Sequence, residues 1–458
     1  MIIRRTAELA GGSPVVADSV PMSVHHDAAS GLWTLTAPPR TLGAPVVLAD
    51  RVCLPVDGRV TALDRSTGRV LWQTPQRVEF HSDFVSAVFA AGEHLVVPSS
   101  CTYMTKGDMI SLAVLSTATG DPSWAREAES ISGFAAHDRT LVFWRLDAEE
   151  RGRITAVDLS TGGLRWRHDL DALTAVLLAG DRVVASSAAG GRREVLGYDL
   201  RSGEQLWRTE AHGLPESLRL SGQDPSAEPV ALAWNWLGSH LRWFSPATGG
   251  KLGSLRPRPG ISFYGSDDPL TRADGESLWL TTNDRRRIDL LRPFTARPRT
   301  RTFTPLPRRL AYSSPELVEA AGRLYALARP AFEHEEAPWE ERRGTLVVTA
   351  RVDRPGRYRR LTPVRWPGAV PRSERHIMWA DLTAGRNHVY VQGWHRDGTG
   401  RTLAVRGNRV LWQREGRSSV AVPLDDRVLL VEQGAERDHL YLVDGETGAF
   451  ADPAVERT

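Results

Sequence analysis

Short runs rich in Val, Thr, Trp and Leu alternate with clusters of Gly, Pro and Asp along the whole chain, and no long apolar pattern of period 3.6 appears. This pattern predicts an all-β protein of short antiparallel strands. The stretch from Ser132 to Leu170 shows it well: SGFAAHD, TLVFWRL, ITAVDLS and LRWRHDL read as four strands joined by three turns. The next stretch repeats the scheme with LTAVLLAG, DRVVASSA, EVLGYDL and EQLWRTE. A four-stranded meander that is apolar on both faces cannot stand alone; stacking such sheets around an axis buries both faces.

A shorter signal recurs inside these units. An Asp or Ser is followed by Thr-Gly or Ser-Gly and then by Trp, from Asp64 to Trp72, Ser116 to Trp124, Asp158 to Trp166 and Asp199 to Trp207, with a decayed copy ending at Trp412. The carboxylate or hydroxyl at the strand end accepts hydrogen bonds from backbone N–H groups two and three residues on, and Gly68, Gly120, Gly162 and Gly203 provide the positive φ of a tight turn. Four residues later comes a side chain able to bury roughly 150–250 Å² that also needs a partner for its indole N–H. One tryptophan per unit predicts docking between neighbouring units. Gly249 is followed by Gly253 where Trp belongs, and Gly448 by Phe450 with no Trp beyond it.

Repeat units of roughly 40–60 residues are the range of radial four-stranded arrays. The repeat runs to the end of the 458-residue chain without a Ser/Pro-rich linker, so one propeller domain over 30–458 is expected, preceded by an N-terminal segment, 1–29. The run SGLWTLTAPP, Ser30 to Pro39, is expected to complete the last blade and so close the ring. The Thr-Gly turns are short and uniform. Insertions fall instead on second-to-third connections, Ser99 to Asp108, Asp147 to Gly152, Ala331 to Arg343 and Trp394 to Gly400. That side is the candidate interaction face, with Tyr103, Arg145, Asp147, Trp339, Trp394 and His395 as candidate contacts.

The Ala-Leu-Asp-x-x-Thr-Gly-x-x-x-Trp pattern, as in VTALDRSTGRVLW at Val60 to Trp72, resembles the repeat of the pyrroloquinoline-quinone-like β-propeller superfamily. That superfamily includes quinoprotein alcohol dehydrogenases, the propeller of the outer-membrane assembly lipoprotein and sensor propellers of some bacterial serine/threonine kinases. The likeness is specific in the first four units and the last two, and weak between about Gly250 and Gly400. It implies about eight blades, against nine hairpin candidates in the sequence. Eight is the expectation taken, with nine or seven as alternatives. The dehydrogenase branch would imply a secreted chain, a calcium site, an Asp base and a disulfide between adjacent cysteines. This sequence has Cys53 and Cys101 far apart and no leader with an apolar core at Met1 to Val20. The expected reading is therefore the non-enzymatic branch, without cofactor or metal, in the cytoplasm.

Charge narrows the partner class. The formal net charge is +3, with 58 basic and 55 acidic side chains, which gives no electrostatic case for nucleic acid. No stretch is apolar over the length needed to span a membrane. Lys106 and Lys251 are the only lysines, a bias of GC-rich coding. The histidines at 25, 26, 81, 334 and 395 lack metal-ligand spacing, and no nucleophile elbow, P-loop or dinucleotide fingerprint occurs. A monomeric, non-catalytic scaffold or sensor that binds a protein partner is expected; the alternative is an enzyme or small-molecule binder using the mouth of the central channel.

Overall fold

The computed structural model describes residues 22–39, 41–75, 88–101, 109–128, 131–145, 147–188, 194–210, 215–221, 230–235, 241–255, 270–271, 278–281, 288–292, 299–302, 310–330, 346–351, 362–365, 378–394, 400–416, 418–432, 434 and 436–451. Among them every regular element is a strand, and every strand pair is antiparallel apart from one isolated bridge. The strands form eight hydrogen-bonded sheets, six of four strands, one of five and one of seven. The seven-stranded sheet is two meanders fused through the 16-residue strand Leu164–Ala179, which ends one and begins the next. Counted as four-stranded meanders, the units among the described residues number nine, the first to the eighth spanning 46–73, 89–128, 133–173, 173–210, 215–255, 270–302, 310–363 and 378–415.

The ninth meander joins the two ends of the chain. Ser418–Leu424, Arg427–Glu432 and Asp438–Asp444 are consecutive in sequence, and the fourth strand is Leu32–Ala37, paired Thr34 to Tyr441 and Ala37 to Asp438. Every residue of Leu32–Ala37 is buried. Ser23–Asp27 adds a fifth strand outside it. Side chains reinforce this seam: Thr34 Oγ1 donates to Ala451 O at 2.5 Å, and the buried Asp438 carboxylate accepts from Thr41 N at 2.7 Å and Leu42 N at 3.1 Å.

First strands of neighbouring meanders lie beside one another around the centre, and the core is divided into apolar layers between meanders. Cys53, Val60 and Ala62 pack on Leu95, Val97 and Ala113; Ile154 and Ala156 pack on Val183, Ala185 and Tyr198; Leu54 and Val56 pack on Leu429 and Leu440. Because both faces are covered, the second strands read as continuous apolar runs, and Arg51–Val56, Arg182–Ser187 and Arg427–Glu432 are buried along nearly their whole length. Cys53 is a free thiol in one such layer, where burial pushes its pKa up to about 12.

One expected insertion proves to be strand. The segment Asp147 to Gly152 is expected as an inserted loop, with Arg145 and Asp147 at its start or at the end of the preceding strand. Instead Arg145 ends the strand Thr140–Arg145, and Asp147 begins Asp147–Asp158, which pairs with Leu164–Ala179 from Asp147 opposite Leu173 to Val157 opposite Leu164. Leu173 pairs on its other side with Ser187, and Ala172 adopts φ +44°, the corner at which the chain passes between meanders.

Candidate interaction surfaces

Each repeat turn is built from its own six residues. Asp64 Oδ1 accepts from the backbone N–H of Ser66 (3.0 Å) and Thr67 (2.8 Å) and from both hydroxyls. Asp158, Asp199 and Asp444 repeat the two backbone bonds, each with one hydroxyl donor. The Ser66 hydroxyl and its companions hold the Asp64 carboxyl down to about 2, and Arg165, at 2.7 Å, together with the Thr161 and Ser160 donors does the same for Asp158. The chain reverses at a glycine with φ between +67° and +76° in each described Asp/Ser-to-Gly turn.

The following tryptophan does not serve its own turn. Trp166 donates its indole N–H to Leu200 O of the next meander at 2.8 Å, and its ring lies on Gly203, where a Cβ would stand 2.5 Å from the ring. Gly203 is thus required twice, for its positive φ and for the approach of the ring. The same dock joins Trp72 to Thr117 and Gly120, Trp124 to Leu159 and Gly162, Trp207 to Pro246 and Gly249, and Trp412 to Gly445 and Gly448. In every case the acceptor carbonyl belongs to the residue directly after the turn's Asp or Ser. A carbonyl and a bare glycine, three residues apart, form the receptor for one indole.

Trp33 is a dock that sequence reasoning did not count among the repeat tryptophans. Its indole N–H meets Arg65 O at 3.0 Å, and its ring covers Gly68. It is the tryptophan missing after Gly448, delivered by the closing strand from the other end of the chain. The signal was present in Gly31-x-Trp33.

The gap at Gly253 has another explanation. In the fourth meander Trp207 lies opposite Gly197; in the fifth, Trp243 lies opposite Gly253, with the Trp on the third strand and the glycine on the fourth. The large and small members have changed places, and a Cβ on Gly253 would meet the same indole edge of Trp243 that one on Gly197 meets in Trp207. Trp243 is buried. Between the seventh and eighth meanders the backbone itself makes the link: Arg365 N donates to Asn408 O at 2.7 Å, and Val410 N to Arg365 O at 2.8 Å.

Further polar contacts stitch this turn side together across meanders. Arg65 meets Asp425 at 2.6 Å, Arg201 meets Asp138 at 3.0 Å, and Arg51 donates to Thr117 O at 2.7 Å. These pairs are largely exposed and contribute little individually, but they turn the side's charged groups toward one another.

Of the sequence-expected contacts, three are described, and these stand on the opposite side. Tyr103, Trp339 and His395 lie outside the described residues. Arg145, Asp147 and Trp394 all stand at strand ends on this side, Trp394 closing Val389–Trp394 opposite Gly400 and Met378. On the innermost strands an aromatic pair went unnoticed in the sequence: Phe89, 44% exposed, meets Phe134 edge-on at 4.8 Å. Among the described residues no group of three or more His, Cys, Asp or Glu side chains is placed to hold a metal ion, and no helix is long and apolar enough to cross a membrane.

Closed four-stranded meanders with tryptophan docks between them define a β-propeller of the pyrroloquinoline-quinone-like superfamily. The profile of the family described as outer membrane protein assembly factor BamB matches residues 5–130 and 108–260, over half of the chain and all four strong repeats, and the chain belongs to this family. The outer membrane protein assembly factor BamB of Alkalilimnicola ehrlichii is 26% identical over 205 residues, 40% of this chain and 52% of the relative. The chain thus spans about half the length of the curated relative it matches. The crystal structure of BamB from Moraxella catarrhalis aligns with 83% of this chain and 97% of its own at 15% identity and TM-score 0.43. A structure described as the eukaryotic initiation factor aligns with 87% and 96% at 10% identity and TM-score 0.56, a likeness of fold alone. The cytoplasmic location expected from the sequence is corrected by these matches: the family and the relative are both named for outer membrane protein assembly.

Proposed function

We propose that this protein is a non-catalytic propeller scaffold that binds protein partners, in the manner the family's name indicates for outer-membrane protein assembly. The observation that carries the reading is the family match across the four strong repeats, which are the units whose docks the structure displays. Family membership supports assembly work; the rigid ring suits it, because loops on a stiff scaffold present binding groups at fixed separations. The working side is the one opposite the Thr-Gly turns. On the turn side indoles, carboxylates and guanidinium groups are engaged within the ring, whereas Arg145, Asp147 and Trp394 end strands on the other side, the side for which Tyr103, Trp339 and His395 are proposed as further contacts. A single propeller over 30–458, with the strand Ser23–Asp27 of the preceding segment 1–29 added to its ninth meander, acts as a monomer in this reading.

Cross-linking mass spectrometry on the full chain, with a partner recovered by affinity purification from its native cell, tests the choice of side. Cross-links and hydrogen-exchange protection are expected at the second-to-third connections. Protection confined to the turns around Gly68, Gly162 and Gly203 would show that the turn side is the working one.

A further inference from the structure

The ring closes in the ninth meander, where strands from the two ends of the chain pair, and one row of directly paired residues crosses that seam. Residues paired across an antiparallel ladder share a face. The row runs Ser23, Thr36, His439 and Glu432, from the fifth strand through the closing strand Leu32–Ala37 to Asp438–Asp444 and Arg427–Glu432. At its centre is the half-buried imidazole of His439. Its Nδ1 lies 3.2 Å from the hydroxyl of the buried Thr36, and its ring stacks on Tyr441 with centroids 5.3 Å apart. The same Tyr441 ring carries the Arg414 guanidinium of the eighth meander, 3.9 Å from its centroid. Glu432 holds Arg414 there by accepting from its Nε at 3.2 Å. One carboxylate thus serves a permanent cation from the neighbouring meander and also lies opposite a histidine able to become a second cation.

Charged and titratable groups approach His439 from each element around it. Its own stretch of chain brings Arg437, Asp438 and Tyr441, the second strand Glu432, and the eighth meander Arg414. The fifth strand brings His25 on the same face, paired with Thr34, which pairs in turn with Tyr441. Asp438 is engaged elsewhere, accepting from Thr41 N and Leu42 N. Protonating His439 in this setting has two consequences. In the tautomer with a bare Nδ1 the Thr36 hydroxyl donates to it; an imidazole charged on both nitrogens offers no acceptor, so that bond is given up. The new cation also competes with Arg414 for Glu432. We propose that His439 is an acid-sensitive latch on ring closure: neutral, it ties the closing strand into the ninth meander; protonated, it loosens Leu32–Ala37 and the Arg414 contact between the eighth and ninth meanders. Burial first, then Arg414 and Arg437, hold the imidazole below its ordinary value of 6.5, against the opposing pull of Glu432 and Asp438. The fold therefore favours the neutral ring, whose contribution is fully present above 6.5 and is lost as pH falls from there toward the lower folded value. The latch belongs to the ring itself and holds whichever partner the propeller binds.

Backbone hydrogen exchange on the full chain, read by mass spectrometry at about pH 7.5 and about pH 5, either side of the ordinary histidine titration, tests the latch. Rates are referred to those of unstructured peptides at the same pH. The expected result is a loss of protection at 32–37 and 438–444 on acidification that exceeds any loss at 154–166, in the distant third meander. His439→Gln, which cannot take up the charge, should abolish the excess loss, while His25→Gln, on the same face, should keep it. Unchanged protection, a loss uniform over the three segments, the same excess in His439→Gln, or its disappearance in His25→Gln overturns the proposal. Protection that rises on acidification also overturns it, because Glu432 would then have gained an ion pair with His439. If His439→Gln does not fold, exchange of the histidine C2–H in the unaltered protein reads the protonation midpoint of His439 directly. A midpoint below 6.5 supports the latch, and one at or above 6.5 overturns it.

Discussion

The arc from the ninth meander through the first to the fifth and the region of the sixth to the eighth share one architecture but are fastened differently. In the arc, successive junctions use an indole against a carbonyl and a glycine. Past the fifth meander the described junctions are the backbone hydrogen bonds of Arg365 with Asn408 and Val410 between the seventh and eighth and the Trp412 dock between the eighth and ninth, while Trp243 and Gly253 face each other within the fifth meander itself. The family profile likewise ends at residue 260, close to where the indole docks give way. Among the described junctions, an indole dock and a backbone bridge therefore each join neighbouring meanders.

The largest expected effect comes from removing docks inside the arc. Trp166→Ala and Trp33→Ala should each cost about 3–5 kcal/mol, the usual range for truncating a buried Trp, read as a fall in denaturation midpoint. An unchanged midpoint in both variants would remove the docking argument. Trp33→Ala tests ring closure as well, because its dock joins the ninth meander to the first.

Next in size is the receptor side. Gly203→Ala introduces a Cβ at φ +75° and 2.5 Å from the Trp166 ring, so about 1–3 kcal/mol of stability should be lost. Gly180→Ala, at φ +58° with open space around it, carries the φ penalty without the clash and should lose less. Equal losses in calorimetry would show that only backbone conformation matters at Gly203.

The exchanged pair sharpens the comparison further. Trp243→Gly should destabilise through a cavity and Gly253→Trp through overpacking. The double exchange, which rebuilds the arrangement of the fourth meander, should recover part of the loss, so that a double-mutant cycle shows coupling. Strict additivity would mean the two positions do not share one space.

The smallest effect is titration of the turns. The carboxyls of Asp64 and Asp158 are held near 2 in the folded chain against an ordinary value of 3.8. Groups lowered on folding stabilise the native state fully above the ordinary carboxylate range, and that stabilisation fades as pH falls from about 4 toward 2. Asp158→Asn should flatten this acid dependence of the melting temperature; an identical acid profile would assign the loss to other carboxyls.

Much of the architecture was legible because its code is local. Asp64 to Trp72 specifies a turn with donors, acceptor and glycine all within nine residues, and the apolar runs on either side announce strands. The segment Asp147-Ala-Glu-Glu-Arg-Gly152 reads as an inserted loop; pairing with Leu164–Ala179 makes it strand, and no property of those six residues alone reports that partner. The Phe89–Phe134 contact was hidden for the same reason, since its rings come from different meanders.

The sequence by itself determined the all-β class, the repeat, the turn chemistry and the need of each tryptophan for a neighbour, because hydrogen bonds within a few residues and the period-2 pattern are properties of the local chain. Tertiary structure decided which neighbour each tryptophan meets. It assigned Trp33 to Gly68 across the closure of the ring, matched Trp243 with Gly253, and set Asp438 beneath Thr41 and Leu42 nearly 400 residues away. Those choices depend on which surfaces come together when the circle closes, and that is fixed by packing among all the meanders at once.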